Sequence, residues 1–175
     1  MPTLRTTYVQ HTFKETPEYH EVCTISDRLL EHLNESEAQE LLAVANAPSL
    51  SSAEVQASFG RFAGQLGFTS EARGLFAAYE NRAVRPDYYL ALGGTGILME
   101  VERGKTTINN MDFLDFWKCH LCEHANYLFL IVPQQLRQNP TMSPRREYNT
   151  VVKRMASFFT QRNYTNVRGL HVFGY

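Results

Sequence analysis

The sequence of 175 residues predicts a single α/β domain, in which a mainly helical N-terminal portion (1–68) precedes a central mixed β-sheet flanked by helices (70–175). Two patterns support this fold class. In the first portion, apolar residues such as Val55, Phe59 and Phe62 recur at helical spacing. In the second portion, short apolar runs typical of buried strands alternate with amphipathic segments of helical length.

The N-terminal portion is predicted to contain four helices: 24–34, 35–46, one from the N-cap Ser51 or Ser52 to Gly67, and one opened by Thr69 and Ser70. The second helix ends before Pro48, because the residue before a proline avoids the helical region. Leu75, Phe76 and Tyr79 supply the apolar face of the fourth helix. Residues 1–22 receive no assignment beyond an arm or a short edge strand.

The C-terminal portion is predicted to open with a β-hairpin. Residues 85–92 and 97–102 have strand character, and Gly93-Gly94-Thr95-Gly96 suits a tight turn between them. The elements predicted next are a loop at 103–109, a helix at 110–123, a strand at 127–132, a helix from Pro144 to Gln161 and a strand at 167–173. The first of these helices has the apolar stripe Phe113, Phe116, Trp117 and Leu121. The second has Ser143 as its N-cap. The last two strands are expected to run parallel around a helical crossover.

Three carboxylates fall at one end of the hairpin. The two-residue period of a strand places Glu100 and Glu102 on the face that carries Leu98. Asp87, at the far end of the partner strand, is expected to lie near them. One interpretation is a solvated acidic strand face. The other is a site for a hard cation such as Mg²⁺, because convergent carboxylates repel by about 1 kcal/mol per pair in water and about 4 kcal/mol at a partly buried surface.

Pro86-Asp87, a spacer and Glu100-Val101-Glu102 resemble the motif of the PD-(D/E)xK nuclease superfamily, to which type II restriction endonucleases belong. Glu102 stands where the usual lysine would be, as in the BamHI-like enzymes with Glu-x-Glu; the BglII-like enzymes have Glu-x-Gln. The predicted order of elements over 70–175 is also similar to the restriction-endonuclease-like core. The resemblance is therefore carried by a motif and by the order of elements.

The resemblance implies Mg²⁺-dependent hydrolysis of DNA phosphodiester bonds, with Mn²⁺ as a substitute for Mg²⁺. It implies that Asp87 and Glu100 hold the metal and that Glu102 orients or deprotonates the attacking water. Lys105 or Lys118 would replace the missing lysine, and the alternative for each is a solvent-exposed side chain. A fourth acid, Glu71 or Glu80, is expected from the helix before the hairpin.

The charge is distributed unevenly, although the net charge is −1. Residues 15–54 contain nine Asp and Glu but one Lys or Arg, whereas residues 137–168 contain seven Lys and Arg but one Asp or Glu. This asymmetry predicts that the C-terminal half binds DNA, the alternative being a basic helix face that only aids solubility. The residues assigned to DNA contacts are Arg103, Lys118, Arg145 and Arg146.

Two further motifs suggest other sites. Cys119-His120-Leu121-Cys122-Glu123-His124 contains four potential zinc ligands, but on a helix the cysteine and histidine pairs point in different directions. Buried thiols beside exposed histidines are therefore favoured over zinc. Gly104-Lys105-Thr106 imitates the end of a P-loop, which requires glycine where Met99 stands.

The predicted function is that of a DNA endonuclease, and the alternative is a catalytically inactive nuclease fold that binds nucleic acid or supports an assembly. A homodimer with one site per strand is expected for double-strand cleavage. Monomeric nicking, an RNA substrate and a partner protein that supplies specificity remain open. The sequence has no apolar run of about 18 residues and no signal-peptide layout, so a soluble cytoplasmic protein without a membrane partner is expected.

Overall fold

The computed structural model describes residues 1–47, 50–71, 76, 84–104, 106–137, 141 and 143–175. Within these ranges, a six-stranded mixed sheet is flanked by five α-helices, which confirms the predicted α/β class. The strands are β1 (Leu4–Val9), β2 (Thr69–Ser70), β3 (Tyr88–Leu92), β4 (Thr95–Val101), β5 (Tyr127–Val132) and β6 (Gly169–Gly174). The helices are α1 (Pro17–Leu33), α2 (Ser36–Ala45), α3 (Ser52–Gln65), α4 (Met111–Leu121) and α5 (Glu147–Ala156).

The sheet has the order β1-β6-β5-β4-β3-β2. Its three central strands, β4, β5 and β6, are parallel. The chain passes through α4 between β4 and β5 and through α5 between β5 and β6, so both parallel pairs have the helical crossover that parallel strands need. The remaining pairs, β1 with β6, β3 with β4 and β2 with β3, are antiparallel.

The two faces of the sheet bury separate cores. Ile97, Met99 and Val101 of β4 belong to the core formed with α1, α2 and α3, whereas Leu98 belongs to the core formed with α4 and α5. The predicted alternation along this strand is therefore confirmed. Because Glu100 shares the face of Leu98, its side chain points toward α4. Within the described ranges, no helix is long and apolar enough to cross a membrane.

The helix starts follow their capping residues. The Thr16 hydroxyl accepts a hydrogen bond from the Tyr19 N–H (3.2 Å) and Pro17 begins α1, seven residues before the predicted start at Thr24. Thr24 lies inside α1, where its hydroxyl donates to the His20 carbonyl (3.0 Å). The predicted N-cap Ser51 is confirmed, since it forms a capping box for α3.

Residues 4–9 form an edge strand, which is one of the two assignments left open for residues 1–22, so the N-terminal portion contributes to the sheet. Two further predictions about element boundaries are wrong. Thr69 and Ser70 pair with β3 instead of opening a helix; the rest of the predicted fourth helix, apart from Glu71 and Phe76, lies outside the described residues. The helix predicted from Pro144 begins at Glu147, because the Arg145 backbone exchanges two 2.9 Å hydrogen bonds with Leu136.

Candidate active site

The hairpin brings Asp87 and Glu100 together, as predicted. Tyr88 pairs with Met99 in the β3–β4 register, so the next residues outward are Asp87 and Glu100. The Val101 N–H donates to Asp87 Oδ2 (2.8 Å), and the Asp87 N–H donates to Glu100 Oε2 (3.4 Å). These two hydrogen bonds fix the two carboxylates at the same end of the hairpin.

Helix α4 adds a carboxylate and an ammonium ion to this end of the hairpin. Lys118 Nζ lies 3.1 Å from Glu100 Oε2 and 2.9 Å from Asp115 Oδ1. Asp115 and Lys118 are three residues apart on α4, so both face the sheet. The Lys118 side chain is 12% exposed; its ion pair with Glu100 connects α4 to β4, and its ion pair with Asp115 lies within α4.

Glu102 completes the group of acidic side chains. Its N–H continues the parallel register by donating to the Ile131 carbonyl (2.8 Å), and its half-buried carboxyl group interacts electrostatically with that of Asp115. We call Asp87, Glu100, Glu102 and Asp115 the acid cluster.

The acid cluster carries more negative charge than Lys118 can compensate, and the pKa values reflect this excess. Burial and the Asp115 carboxylate raise the pKa of Glu102 to about 8, and burial raises the pKa of Asp115 to about 6 although Lys118 opposes it. Burial and Asp115 also raise the pKa of Glu100 well above its ordinary value, and burial raises that of Asp87. Burial alone would lower the pKa of Lys118, but Glu100 and Asp115 outweigh it and raise this pKa.

The donor chemistry of the acid cluster fits a hard divalent cation, which prefers carboxylate oxygens. In the described part of the chain, Glu100 Oε1 is buried and has no hydrogen-bond partner. However, no three Asp, Glu, His or Cys side chains among the described residues are arranged to hold a metal ion as they stand. The Lys118 ammonium, which lies between Glu100 and Asp115, is the cation that this arrangement accommodates.

Glu71, one of the two candidates for a fourth acid, lies beside Asp87. Its N–H donates to the Asp87 carbonyl (2.8 Å), and its carboxylate pairs with Arg85 (3.5 Å). The other candidate, Glu80, lies outside the described residues, as does Lys105.

Arg103 has a different environment from the one predicted. Its guanidinium group donates to the carbonyls of Leu50 (2.6 Å), Asn46 (3.2 Å) and Ala47, and only 7% of the residue is exposed. These carbonyls lie at the end of α2 and in the segment after it, where backbone acceptors lack partners within the helix. We therefore assign Arg103 a structural role in place of the predicted phosphate contact.

Arg145 and Arg146 do not open a helix at Pro144, because α5 begins at Glu147. Arg145 Nε lies 3.5 Å from Oε1 of the buried Glu147, and Arg146 is exposed to solvent. Arg146 therefore remains accessible to a polyanion, whereas Arg145 is already paired with an acid.

The inner face of α4 is only partly the predicted one. Phe116 is buried as predicted, but Trp117 and Leu121 are 43% and 60% exposed. The other buried residues of α4 are Asp112, Asp115 and Cys119. Asp112 is stabilised there by Arg154, whose Nε lies 3.2 Å from its Oδ2. Asp115 was not predicted as a site residue; its spacing of three from Lys118 was the available signal.

The two thiols of the segment 119–124 are buried, as predicted. Cys119 and Cys122 are buried and free. His120 is half-buried, and its Nδ1 accepts a hydrogen bond from the Asn166 N–H (3.1 Å), so this histidine is less exposed than predicted. His124 is exposed and stacks on Phe76.

Two open clefts beside α3 reach the acid cluster. The first, of about 480 Å³, is lined by Leu50, Ser51, Ser52, Glu102, Arg103, Gly104 and Leu136. The second, of about 420 Å³, is lined by Ala53, Gln56, Ala57, Gly60, Arg61, Ser70, Glu71, Asp87 and Tyr88. Solvent and small groups can therefore approach both Glu102 and Asp87.

Comparisons of the chain with protein-family models, with curated proteins and with solved structures found no match. The functional argument therefore depends on the geometry of the acid cluster and on the topology that places it.

Proposed function

We propose that this protein is a Mg²⁺-dependent endonuclease that hydrolyses phosphodiester bonds of double-stranded DNA, similar to type II restriction enzymes. The observation that carries the proposal is the convergence of Asp87, Glu100, Glu102 and Asp115 at one end of a hairpin, with Lys118 among them. A cluster of buried carboxylates that contacts an open cleft is costly for stability alone, which favours a functional role.

The topology supports the same proposal. Strands β2, β3 and β4 form an antiparallel meander, and the crossover through α4 leads to β5, parallel to β4. From β3 onward, this is the order of elements that the resemblance to the PD-(D/E)xK superfamily implies, whereas β2 stands where a helix was expected to begin. The two acids of the motif stand on β4 and directly before β3, which are adjacent in the sheet.

The acidic side chains have distinct proposed roles. Asp87 and Glu100 would hold the metal ion, since both are fixed at the end of the hairpin. Bound Mg²⁺, or Mn²⁺ in its place, would polarise the scissile phosphate and lower the pKa of a bound water. Glu102 is suited to accept a proton from the attacking water, because its pKa of about 8 lies close to neutral pH.

Lys118 would supply the positive charge that the motif lysine supplies in relatives. Its ammonium contacts Glu100, the first glutamate of the motif, so it would be close to a phosphate bound to a metal ion at Glu100. In this proposal Lys118 contacts the scissile phosphate and is not a general DNA-binding residue.

DNA would approach along the basic C-terminal half. Exposed cations of this half include Arg137, Arg146, Lys153 and Arg162. Each neutralised phosphate makes affinity more sensitive to salt, with a slope of about −0.9 per contact. Cleavage of both strands would be carried out by a homodimer with one site per strand.

A second candidate function is that of an inactive nuclease fold that binds nucleic acid. The observation that favours it is the ion pair of Lys118 with Glu100 and Asp115, since an ammonium ion can offset part of the negative charge of the acid cluster without a metal. Such a protein would bind DNA in a salt-sensitive way and would leave it intact.

Cleavage assays distinguish these candidates. Supercoiled plasmid and linear duplex are incubated with the wild-type protein in Mg²⁺, Mn²⁺ or EDTA, alongside Glu100→Gln and the exposed control Glu40→Gln. The endonuclease is supported by metal-dependent cutting that Glu100→Gln loses and Glu40→Gln keeps. Salt-sensitive DNA binding without cutting in either metal would support the inactive fold instead.

A further inference from the structure

We infer that Asp115 is a cation ligand of this site together with Glu100, and that Lys118 holds the cation's position as a counter-ion until a divalent metal displaces it. This inference rests on the proposed function, because it concerns how the same acid cluster takes up its metal. The inference adds to the sequence motif a metal ligand from α4. It also adds a competition between the Lys118 ammonium and the metal ion.

A positive charge already lies between the two carboxylates. Lys118 Nζ is 3.1 Å from Glu100 Oε2 and 2.9 Å from Asp115 Oδ1. Glu100 comes from β4 and Asp115 from α4, so two elements bracket this position. The two acidic residues are 1% and 0% exposed, which limits screening by water and salt.

The ammonium does not satisfy all the oxygens around it. Among the described residues, Glu100 Oε1 and both carboxylate oxygens of Asp115 are buried without a hydrogen-bond partner, although Lys118 Nζ forms an ion pair with Asp115 Oδ1. Buried acceptors without donors are costly. A divalent cation bound by these carboxylates would remove that cost and the repulsion between them.

Lys118 is able to leave this position. Its four-carbon stem is flexible, and its side chain retains 12% exposure. The neighbouring Trp117 is 43% exposed, so α4 borders solvent next to the lysine. Since Mg²⁺ would need the oxygens that the ammonium contacts, the two cations exclude each other. A displaced ammonium remains near the site and becomes available to a substrate phosphate.

The test is binding of Mn²⁺ to the full chain, measured by the electron paramagnetic resonance signal of free Mn²⁺. Lys118→Met removes the ammonium and keeps an apolar stem, so this variant is expected to bind Mn²⁺ at least about tenfold more tightly than the wild type. Asp115→Asn removes a ligand and is expected to bind about tenfold or more weakly.

Matched controls separate the local effect from a change in net charge. Lys14→Met and Glu40→Gln alter the same charges at exposed positions of the N-terminal portion and are expected to keep the wild-type Mn²⁺ affinity. Circular dichroism checks that each variant is folded. Lys118→Gln, whose amide can still donate to a carboxylate, replaces Lys118→Met if the latter is unfolded.

Several outcomes would overturn the inference. Unchanged or weaker Mn²⁺ binding by the folded Lys118 variant would contradict the competition, and unchanged binding by Asp115→Asn would remove Asp115 from the site. A lack of Mn²⁺ binding by the wild type and by every variant would refute both the competition with Lys118 and the assignment of Asp115 as a ligand. If Lys118→Met binds Mn²⁺ more tightly but the wild type does not cleave DNA, the inference is supported and the proposed nuclease function is refuted. If the wild type cleaves DNA but Lys118→Met does not bind Mn²⁺ more tightly, the nuclease function is supported and the inference is refuted.

Discussion

The ammonium of Lys118 and the carboxylate of Glu100 form an ion pair between α4 and β4, with Nζ 3.1 Å from Oε2. Through this pair, the helix after the hairpin becomes part of the acid cluster that the hairpin begins. Asp115 joins the same pair at 2.9 Å from Nζ. The charge balance of the site is therefore set jointly by β4 and α4.

Removing Lys118 should destabilise the protein more at high pH than at low pH. Burial raises the pKa of Glu102 to about 8 and that of Asp115 to about 6, so the folded state binds protons more tightly than the unfolded state, and its stability falls as pH rises through these values. Lys118→Met is expected to lower the free energy of unfolding by about 3–5 kcal/mol at pH 9 and by less at pH 5. Urea unfolding at both pH values measures this, with Lys14→Met as the control. An equal decrease in the free energy of unfolding at pH 9 and at pH 5 would contradict the charge argument.

The rate of DNA cleavage should rise with pH and then level off. Glu102 accepts a proton only when it is ionised, and its pKa is about 8 in the metal-free protein because of burial and Asp115. A bound cation favours the ionised form, so the midpoint is expected below that value. Single-turnover rates from pH 5.5 to 9 measure the profile. Glu102→Gln should be slow throughout, and a wild-type profile that is flat would exclude Glu102 as the base.

The sequence predicts strands β3 to β6 and three of the four residues of the acid cluster for clear physical reasons. The apolar run of β5 is bounded by Asn126 and Pro133, and its predicted limits, 127–132, match the structure. The predicted turn at 93–96 is two residues longer than the observed turn at Gly93 and Gly94, but in either register Asp87 lies at the same end of the hairpin as Glu100. Local pattern and antiparallel pairing therefore suffice for these features.

The remaining features depend on contacts between segments distant in sequence. Apolar periodicity placed Trp117 on the inner face of α4, but Lys118 and Arg154 stabilise the buried acids Asp115 and Asp112 there instead. The sequence around Arg103 gives no local sign that this residue binds the carbonyls of Asn46, Ala47 and Leu50. In both cases a tertiary ion pair or hydrogen bond overrides the local pattern.

Arg103 and Arg146 should respond differently to removal of their charge. Arg146 is exposed, so Arg146→Gln is expected to weaken DNA binding and reduce the magnitude of the salt slope by about 0.9 per lost phosphate contact. Arg103→Gln loses hydrogen bonds to buried carbonyls and is expected to lower stability by about 1–3 kcal/mol, with an unchanged salt slope. Fluorescence anisotropy at several salt concentrations and urea unfolding measure the two effects. A reduced salt slope in Arg103→Gln would restore its predicted phosphate contact.

His171 should make the protein sensitive to acid. Ser26 Oγ accepts a hydrogen bond from Arg5 and can donate to His171 Nδ1 (2.7 Å), and burial lowers the pKa of His171 to about 3. The histidine is neutral in the folded state, so its stabilising effect is complete above the unfolded pKa of about 6.5 and is lost as pH falls toward 3, by about 1.4 kcal/mol per pH unit.

Thermal unfolding between pH 4 and 7 tests this role of His171. His171→Gln is expected to lose stability at pH 7 but to show a shallower decline toward pH 4, whereas the exposed control His11→Gln should keep the wild-type slope. An identical slope in His171→Gln and the wild type would assign the acid sensitivity to other groups.

The most direct measurement of the central claim is Mg²⁺-dependent nicking of supercoiled plasmid by the wild type and by Asp87→Asn. The asparagine can still accept the hydrogen bond from the Val101 N–H, so the hairpin is expected to stay folded while the negative charge is lost. Asp27→Asn makes the same change on an exposed face of α1. The account predicts nicking by the wild type and Asp27→Asn, no nicking in EDTA, and a loss of about 100-fold or more in Asp87→Asn. Nicking by Asp87→Asn at the wild-type rate would contradict the account.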